Sequence, residues 1–154
     1  MTLHRASRSR PEAAFTLIEL MIVIVVIAIL ASLAYPSYTQ HVLKARRSDC
    51  AASLVALAGS LERFQTVNST YLGAATGGAN TGAPAVYPEN CPVDGGTPTY
   101  ALSISAATAS TFALQAVPVG AQATDKCGVL TLSGTGLKGI SGERDGVTWE
   151  DCWR

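Results

Sequence analysis

The stretch that decides the fold is residues 15–38, FTLIELMIVIVVIAILASLAYPSY. No charged residue occurs from Leu20 to Tyr38. At about 1.5 Å per helical residue, this run can cross most of a ~30 Å hydrocarbon core. Three arginines lie in the first ten positions and no charge follows the run closely, so the positive-inside rule predicts an N-in orientation. The sequence therefore predicts one N-terminal membrane-spanning helix.

The apolar run continues into a second, amphipathic helical stretch instead of ending at a small-residue secretory cleavage site. Apolar residues recur there at helical spacing and form two neighbouring rows: Leu54, Leu57, Leu61 and Phe64, then Ala51, Val55 and Ala58. The pattern predicts a single helix from about Phe15 to Val67. Pro36 lies inside this helix and should bend or locally break it, because proline lacks an amide donor and clashes with the preceding turn.

Glu19 is the only charged residue between Glu12 and His41. A carboxylate at membrane depth costs about 2.5–3.5 kcal/mol on insertion scales, so its presence needs an explanation. One explanation is an interfacial position near the helix N-terminus, where the helix dipole favours a negative charge. The explanation we prefer is a partner cation supplied by another subunit.

The string AAFTLIELMIVIVVIAILASLAYPSY resembles the class III leader and N-terminal helix of type IV prepilins. The resemblance implies that prepilin peptidase cuts the chain between Ala14 and Phe15 on the cytoplasmic side, and that Phe15 is then N-methylated. The family usually has Gly before the cut, where this chain has Ala14. The resemblance also implies that Glu19, four residues after Phe15, pairs with the N-terminal amine of a neighbouring subunit, and that Pro36 is a helix-bending proline.

The distal part resembles a narrower group more loosely. The stretches ERFQTVNSTY and CGVLTLSGTGLKG and the terminal CW pair are similar to minor pilins of the PilE-like group, which are related to DNA-uptake pilins. Alternating apolar residues predict an antiparallel meander of three or four strands: Tyr100, Leu102 and Ile104, then Phe112 and Leu114, then Leu130 and Leu132. One helix followed by strands predicts an α+β roll, in which the Leu54–Phe64 stripe packs on the sheet.

Four cysteines, Cys50, Cys91, Cys127 and Cys152, are spread too widely for a zinc site and favour two disulfides in an exported protein. Four cysteines allow three connectivities. We expect Cys50–Cys91, which ties the loop to the helix, and Cys127–Cys152, which closes about 25 residues and contributes roughly 3 kcal/mol. The C-terminal loop is therefore expected to be tethered by a disulfide.

The sequence offers little for catalysis or for a cofactor. It has no phosphate loop, GxSxG or HExxH motif, and its two histidines are His4 in the leader and His41 on the helix. An enzyme and a small-molecule substrate are therefore not expected. Calcium binding by the acidic tail is weighed against solvated charges, which we favour. The acidic residues concerned are Glu143, Asp145, Glu150 and Asp151.

DNA binding would need a basic stripe that engages phosphates. The distal candidates are Lys126, Lys138, Arg144 and Arg154. Against this hypothesis, acidic residues are interleaved with them, and five basic against nine acidic residues follow Ser48. Binding to DNA is therefore retained as an alternative and is not the favoured function.

The expected organisation is a leader (1–14), a filament-core half of the helix (15–37), an amphipathic half (38–67), a Gly/Pro-rich loop (68–98), and a sheet with a C-terminal disulfide loop (99–154). The leading hypothesis is a minor structural subunit of a type IV pilus. It would start as a single-pass inner-membrane precursor, join other pilin subunits through the assembly platform, and serve assembly, twitching motility or adhesion. The alternatives are a type II secretion pseudopilin and a DNA-binding pilin for natural transformation.

Overall fold

The computed structural model describes residues 15–144 and 146–153. The predicted leader, with Ala14, lies outside the described residues. The chain divides into two compact units, residues 1–39 and 40–154. Helix α1 runs from Leu17 to Asn68 and contributes to both units.

The long helix predicted from sequence is present, with two changes in detail. Its first helical residue is Leu17, so the helix begins two residues after Phe15. The helix also continues through residue 36, so the local break considered at Pro36 is not formed. The bend at Pro36 stays a prediction.

In the first unit, the surface of α1 is apolar and exposed. Its most apolar 18-residue window has a mean hydropathy of 3.0, and none of that window is buried. By length and composition alone, this helix is able to cross a membrane.

In the second unit, five strands follow in chain order: β1 (Asn90–Cys91), β2 (Tyr100–Ala107), β3 (Phe112–Pro118), β4 (Val129–Ser133) and β5 (Lys138–Ser141). They form one antiparallel sheet in the order β1-β2-β3-β4-β5. A short helix α2 (Trp149–Cys152) follows β5. The predicted meander is confirmed, with five strands in place of three or four.

The sheet register aligns the apolar side chains on one face. Ile104 lies opposite Leu114, and Leu114 lies opposite Leu132. These residues form one buried cluster with the helix residues Leu54, Leu57 and Leu61. The predicted α+β fold, a long helix packed on an antiparallel sheet, is therefore confirmed. At roughly 1.5–3 kcal/mol for each large apolar side chain buried, this cluster is the main source of the unit's stability.

One member of the predicted helix stripe does not belong to the core. Val55 is 49 % exposed, whereas Ala51 in the same predicted row is buried. The buried face of α1 is narrower than expected, because it follows the Leu54, Leu57 and Leu61 row.

The segment between α1 and β2 is packed and not a bare connector. Tyr71, Ala74 and Ala75 are buried in it. The Tyr71 ring meets the Phe112 ring edge-on, with centroids 4.9 Å apart. Gly82 exchanges backbone hydrogen bonds with Ile104 of β2, each 2.9 Å long. The segment therefore extends the core across the start of the sheet.

Two disulfides close the second unit. Cys50 of α1 is bonded to Cys91 of β1, and Cys127 is bonded to Cys152 at the end of α2. All four are fully buried. This is the pairing that we expect from the sequence. The second bond closes the segment between Cys127 and Cys152, called the C-terminal loop below, and holds its end against the residues just before β4.

Candidate functional site

The start of α1 is organised around Thr16. The Glu19 amide donates a hydrogen bond to Thr16 Oγ1 (3.2 Å), and the Leu20 amide donates to the Thr16 carbonyl (3.2 Å). Thr16 is therefore the N-cap of the helix, and Thr-x-x-Glu is the spacing of a capping box. Glu19 lies in the first turn and is exposed. A carboxylate at this position is stabilised by the helix dipole.

The surface after Glu19 is apolar all round. Nearly every large side chain from Leu20 to Leu33 is at least 48 % exposed within the unit. An apolar surface of this extent is stable only against lipid or against other apolar helices. Phe15, at the chain end expected after processing, is 84 % exposed.

In the second unit, a buried ion pair joins α1 to the turn before β4. Arg47 Nη1 lies 2.6 Å from Asp125 Oδ1 and 2.8 Å from Oδ2. Both side chains are almost fully buried. Arg47 Nε also donates to the Cys152 carbonyl (3.2 Å), so one guanidinium contacts both ends of the C-terminal loop.

The same carboxylate accepts further hydrogen bonds. Asp125 Oδ2 accepts from the Tyr100 hydroxyl (2.9 Å) and from Gln122 Nε2 (3.0 Å). Gln122 Nε2 also donates to the Leu43 carbonyl (2.9 Å). Burial is the largest cause that raises the pKa of Tyr100, so this phenol stays protonated and acts as a donor. The network fixes the C-terminal loop on α1 through charge-assisted hydrogen bonds.

Sequence reasoning missed this network. Arg47 and Asp125 are 78 residues apart, and no local pattern links them. The signal available was weak: Arg47 comes seven residues before Leu54 and so falls on the same helix face as the buried stripe.

The structure brings some of the predicted basic residues together. The Arg144 amide donates to the Lys126 carbonyl (3.0 Å), and Arg144 Nη2 donates to the Thr124 carbonyl (3.2 Å). Lys126 and Arg144 are both exposed and thus form a basic pair beside the Cys127–Cys152 disulfide. Lys138 lies on β5, with its Nζ 5.2 Å from the centre of the Trp153 ring. Arg154 lies outside the described residues.

The acidic tail residues do not form a metal site in the part that the structure describes. Asp151 accepts a hydrogen bond from Thr148 Oγ1 (3.2 Å), and Glu143 and Glu150 are exposed. Residues 15–144 and 146–153 contain no group of three or more His, Cys, Asp or Glu side chains able to hold a metal ion. Asp145 is outside the described residues.

Comparisons with known proteins agree with the N-terminal apolar helix and with the head, which is the second unit (residues 40–154). The profile of the prokaryotic N-terminal methylation motif matches residues 9–35. The profile of type IV minor pilin ComP, DNA uptake sequence receptor, matches residues 36–131, more than half of the chain. Membership of a minor-pilin family favours a pilus over a secretion pseudopilin. No curated protein matched the chain.

Two solved pilin structures resemble the chain. One is the non-core minor pilin PilV of Neisseria meningitidis, at 20 % identity and a TM-score of 0.48, covering 70 % of this chain and 94 % of PilV. The other is a type IV pilin from Shewanella oneidensis, at 24 % identity and a TM-score of 0.41, covering 73 % of this chain and 98 % of that pilin. On the match of residues 36–131, the chain belongs to the family of type IV minor pilin ComP, DNA uptake sequence receptor.

Proposed function

We propose that this minor pilin is made as an N-in inner-membrane precursor, cut between Ala14 and Phe15, and assembled into a pilus filament through α1. The observation that carries the proposal is the uncovered apolar surface of α1, which begins directly after Glu19. Lipid covers this surface before assembly, and the helices of other subunits cover it afterwards. The proposed partners are other pilin subunits, prepilin peptidase and the inner-membrane assembly platform.

Glu19 supplies the charge that guides assembly. Its backbone is fixed by the Thr16 cap, and its side chain is exposed at the start of the apolar segment. Cleavage before Phe15 creates a positive amine on each subunit. When the amine of one subunit meets Glu19 of its neighbour, each charge gains a partner in a medium of low dielectric constant, where attraction is strong.

The test is substitution of Glu19. Glu19→Ala and Glu19→Gln should insert into the membrane normally, because each removes an intramembrane charge, but should be strongly depleted from sheared pili. Asp49→Asn is the matched control, because Asp49 is an exposed carboxylate of α1 beyond the apolar run. Quantitative blotting of membrane and pilus fractions measures both steps. Normal incorporation of both Glu19 variants would overturn the counter-charge mechanism.

A second candidate function is capture of DNA at the filament surface. Two observations favour it: the family is described as a DNA uptake sequence receptor, and the backbones of the exposed residues Lys126 and Arg144 are hydrogen-bonded to each other. Two adjacent cations can contact neighbouring phosphates of a duplex. Asp125 does not oppose them, because its carboxylate is buried and bound to Arg47.

Salt-dependent binding to duplex DNA tests this second function. The logarithm of affinity falls with the logarithm of salt by about 0.9 per neutralised phosphate, so Lys126→Gln/Arg144→Gln should reduce the slope by roughly 2. Arg63→Gln is the control, because Arg63 is an exposed cation of α1. Fluorescence anisotropy with the full chain gives the slopes. Equal slopes for all three proteins would exclude this pair as the DNA contact.

Deletion of the gene shows which cellular process depends on this protein. Surface piliation, twitching, secretion and transformation should be scored in the same strain. A defect in piliation or transformation with normal secretion is expected for a pilus subunit. A defect in secretion alone would instead indicate a pseudopilin.

A further inference from the structure

A polar cleft of about 270 Å³ lies where the first turns of the second unit meet the C-terminal loop. Gln40, His41, Lys44 and Arg47 line it from α1, and Lys126 and Asp151 line it from the loop side. The cleft is therefore small, charged and built from two elements that the Arg47–Asp125 pair holds together. A space of this size fits one small polar group and not a large organic ligand.

The lining of the cleft carries charges of both signs. The positive charge of Arg47 is bound to Asp125, which leaves Lys44 and Lys126 as the cations available to an anion. Asp151 is the one carboxylate of the lining. It accepts a hydrogen bond from Thr148, and a carboxylate has further acceptor positions. The lining thus suits a ligand that carries a phosphate and an ammonium close together.

The position of the cleft along the chain indicates a membrane source for this ligand. The apolar run ends in Tyr35 and Tyr38, both strongly exposed, and such aromatic residues mark the membrane–water interface. Lys44 follows Tyr38 by only six residues of the chain, and the headgroup layer is roughly 5–8 Å thick.

We propose that this cleft binds the headgroup of a zwitterionic aminophospholipid at the outer surface of the inner membrane. The phosphate lies between Lys44 and Lys126, and the primary ammonium donates to Asp151. The proposal rests on the N-in anchoring proposed above and assigns a site to the stage before assembly. Binding there holds the folded head on the bilayer while the apolar half of α1 remains in lipid.

Native mass spectrometry of the full mature chain in detergent tests the proposal. Phosphatidylethanolamine, phosphatidylglycerol and phosphatidylcholine with identical acyl chains are the probes. The primary amine should be preferred, because phosphatidylglycerol lacks an ammonium and the quaternary ammonium of phosphatidylcholine has no N–H donor. Lys44→Gln should lower binding of phosphatidylethanolamine at least about tenfold, the contribution of a hydrogen bond to a charged group.

Asp151→Asn separates recognition of the ammonium from general attraction to phosphate. This variant should lose the preference for phosphatidylethanolamine and gain affinity for phosphatidylglycerol. Arg46→Gln is the matched control, because Arg46 is an exposed cation of the same helix turn that does not line the cleft. Equal losses for Lys44→Gln and Arg46→Gln, or an unchanged preference in Asp151→Asn, would overturn the proposal.

Two further binding measurements identify the source of the ligand. Soluble glycerophosphoethanolamine should compete only far above the lipid concentration, and competition at equal concentration would overturn the membrane placement. Duplex DNA should bind equally to the parent chain and to Lys44→Gln, and DNA binding that depends on Lys44 would overturn the assignment of the cleft to lipid. Because lipid binding is measured on purified protein, its failure leaves the piliation and DNA tests of the proposed function unaffected.

Discussion

Removing the carboxylate of Asp125 should destabilise the head more than any exposed substitution. Asp125→Ala leaves the buried Arg47 guanidinium without its counter-charge, and Tyr100 loses an acceptor for its hydroxyl. Breaking a buried pair by removing one partner costs about 3–5 kcal/mol. The head, residues 40–154, has a size for which each kcal/mol moves Tm by about 4 °C. The expected loss in Tm is therefore on the order of 12–20 °C.

Tryptophan fluorescence measures the loss in Tm during heating and the loss in unfolding free energy during guanidinium denaturation, both in the full chain with its disulfides intact. The chain has two tryptophans, both after β5, and Trp153 Nε1 donates to the Gly139 carbonyl (2.9 Å). The signal therefore reports the head and not the apolar half of α1. Arg46→Met is the control, with an expected change within about 0.5 kcal/mol.

The double variant Arg47→Met/Asp125→Leu sharpens the test. Replacing both members of a buried pair by apolar residues is often neutral, so the double variant should be clearly more stable than Asp125→Ala. In the cycle completed by the single variants Arg47→Met and Asp125→Leu, the coupling energy should exceed about 2 kcal/mol, in the range found for residues in contact. An Asp125→Ala cost below about 1 kcal/mol, or single costs that simply add, would refute the importance of the pair.

Three further perturbations test other parts of the head. Replacing both Cys127 and Cys152 by Ser should lower the unfolding free energy by roughly 3 kcal/mol on the chain-entropy model for a 25-residue loop. An unchanged denaturation curve would show that the loop holds without the bond. Gly128→Ala should lower the unfolding free energy more than Gly136→Ala, although both glycines have positive φ. A Cβ at Gly128 would clash with the backbone at the end of β5, whereas a Cβ at Gly136 meets no atom within 4 Å. Equal melting temperatures of the two variants would contradict this prediction. Burial raises the pKa of Tyr100 in the folded state, so above pH 10 this phenol loses its proton more readily in the unfolded state. The unfolding free energy should therefore fall by up to about 1.4 kcal/mol for each pH unit above 10. Tyr100→Phe should show a smaller slope in denaturation measured from pH 9 to 11, and an identical slope would count against the raised pKa.

The parts of the fold that follow from local periodicity could be predicted from the sequence. The helix spacing of Leu54, Leu57 and Leu61 and the alternation of Tyr100, Leu102 and Ile104 each predict one buried face, and all six side chains are buried. Strands β1 and β5 were missed because they are two and four residues long, too short for alternation to be visible. Their positions depend on pairing with β2 and β4.

The candidate sites differ in how far the sequence predicts them. Glu19 could be found because a carboxylate in an apolar run is conspicuous on its own. The pairing of Arg47 with Asp125 could not, since it depends on how the chain returns to the helix after 78 residues. The same holds for the cleft, where Lys44 and Lys126 meet only after folding. The net charge of the residues after Ser48 is negative, and a net charge cannot show that Lys44 and Lys126 line the same cleft.

Under the proposed assembly into a filament, the Cys50–Cys91 bond has a mechanical consequence for a subunit under tension. A force on the sheet that reaches β1 passes through the disulfide directly into α1, and bypasses the chain between Cys50 and Cys91, which are 41 positions apart in the sequence. Extended chain spans about 3.4 Å per residue, so the bond locks away roughly 140 Å of contour length. In an oxidising environment the loop before β2 carries no load, and it stays folded and available at the surface while the filament is stretched.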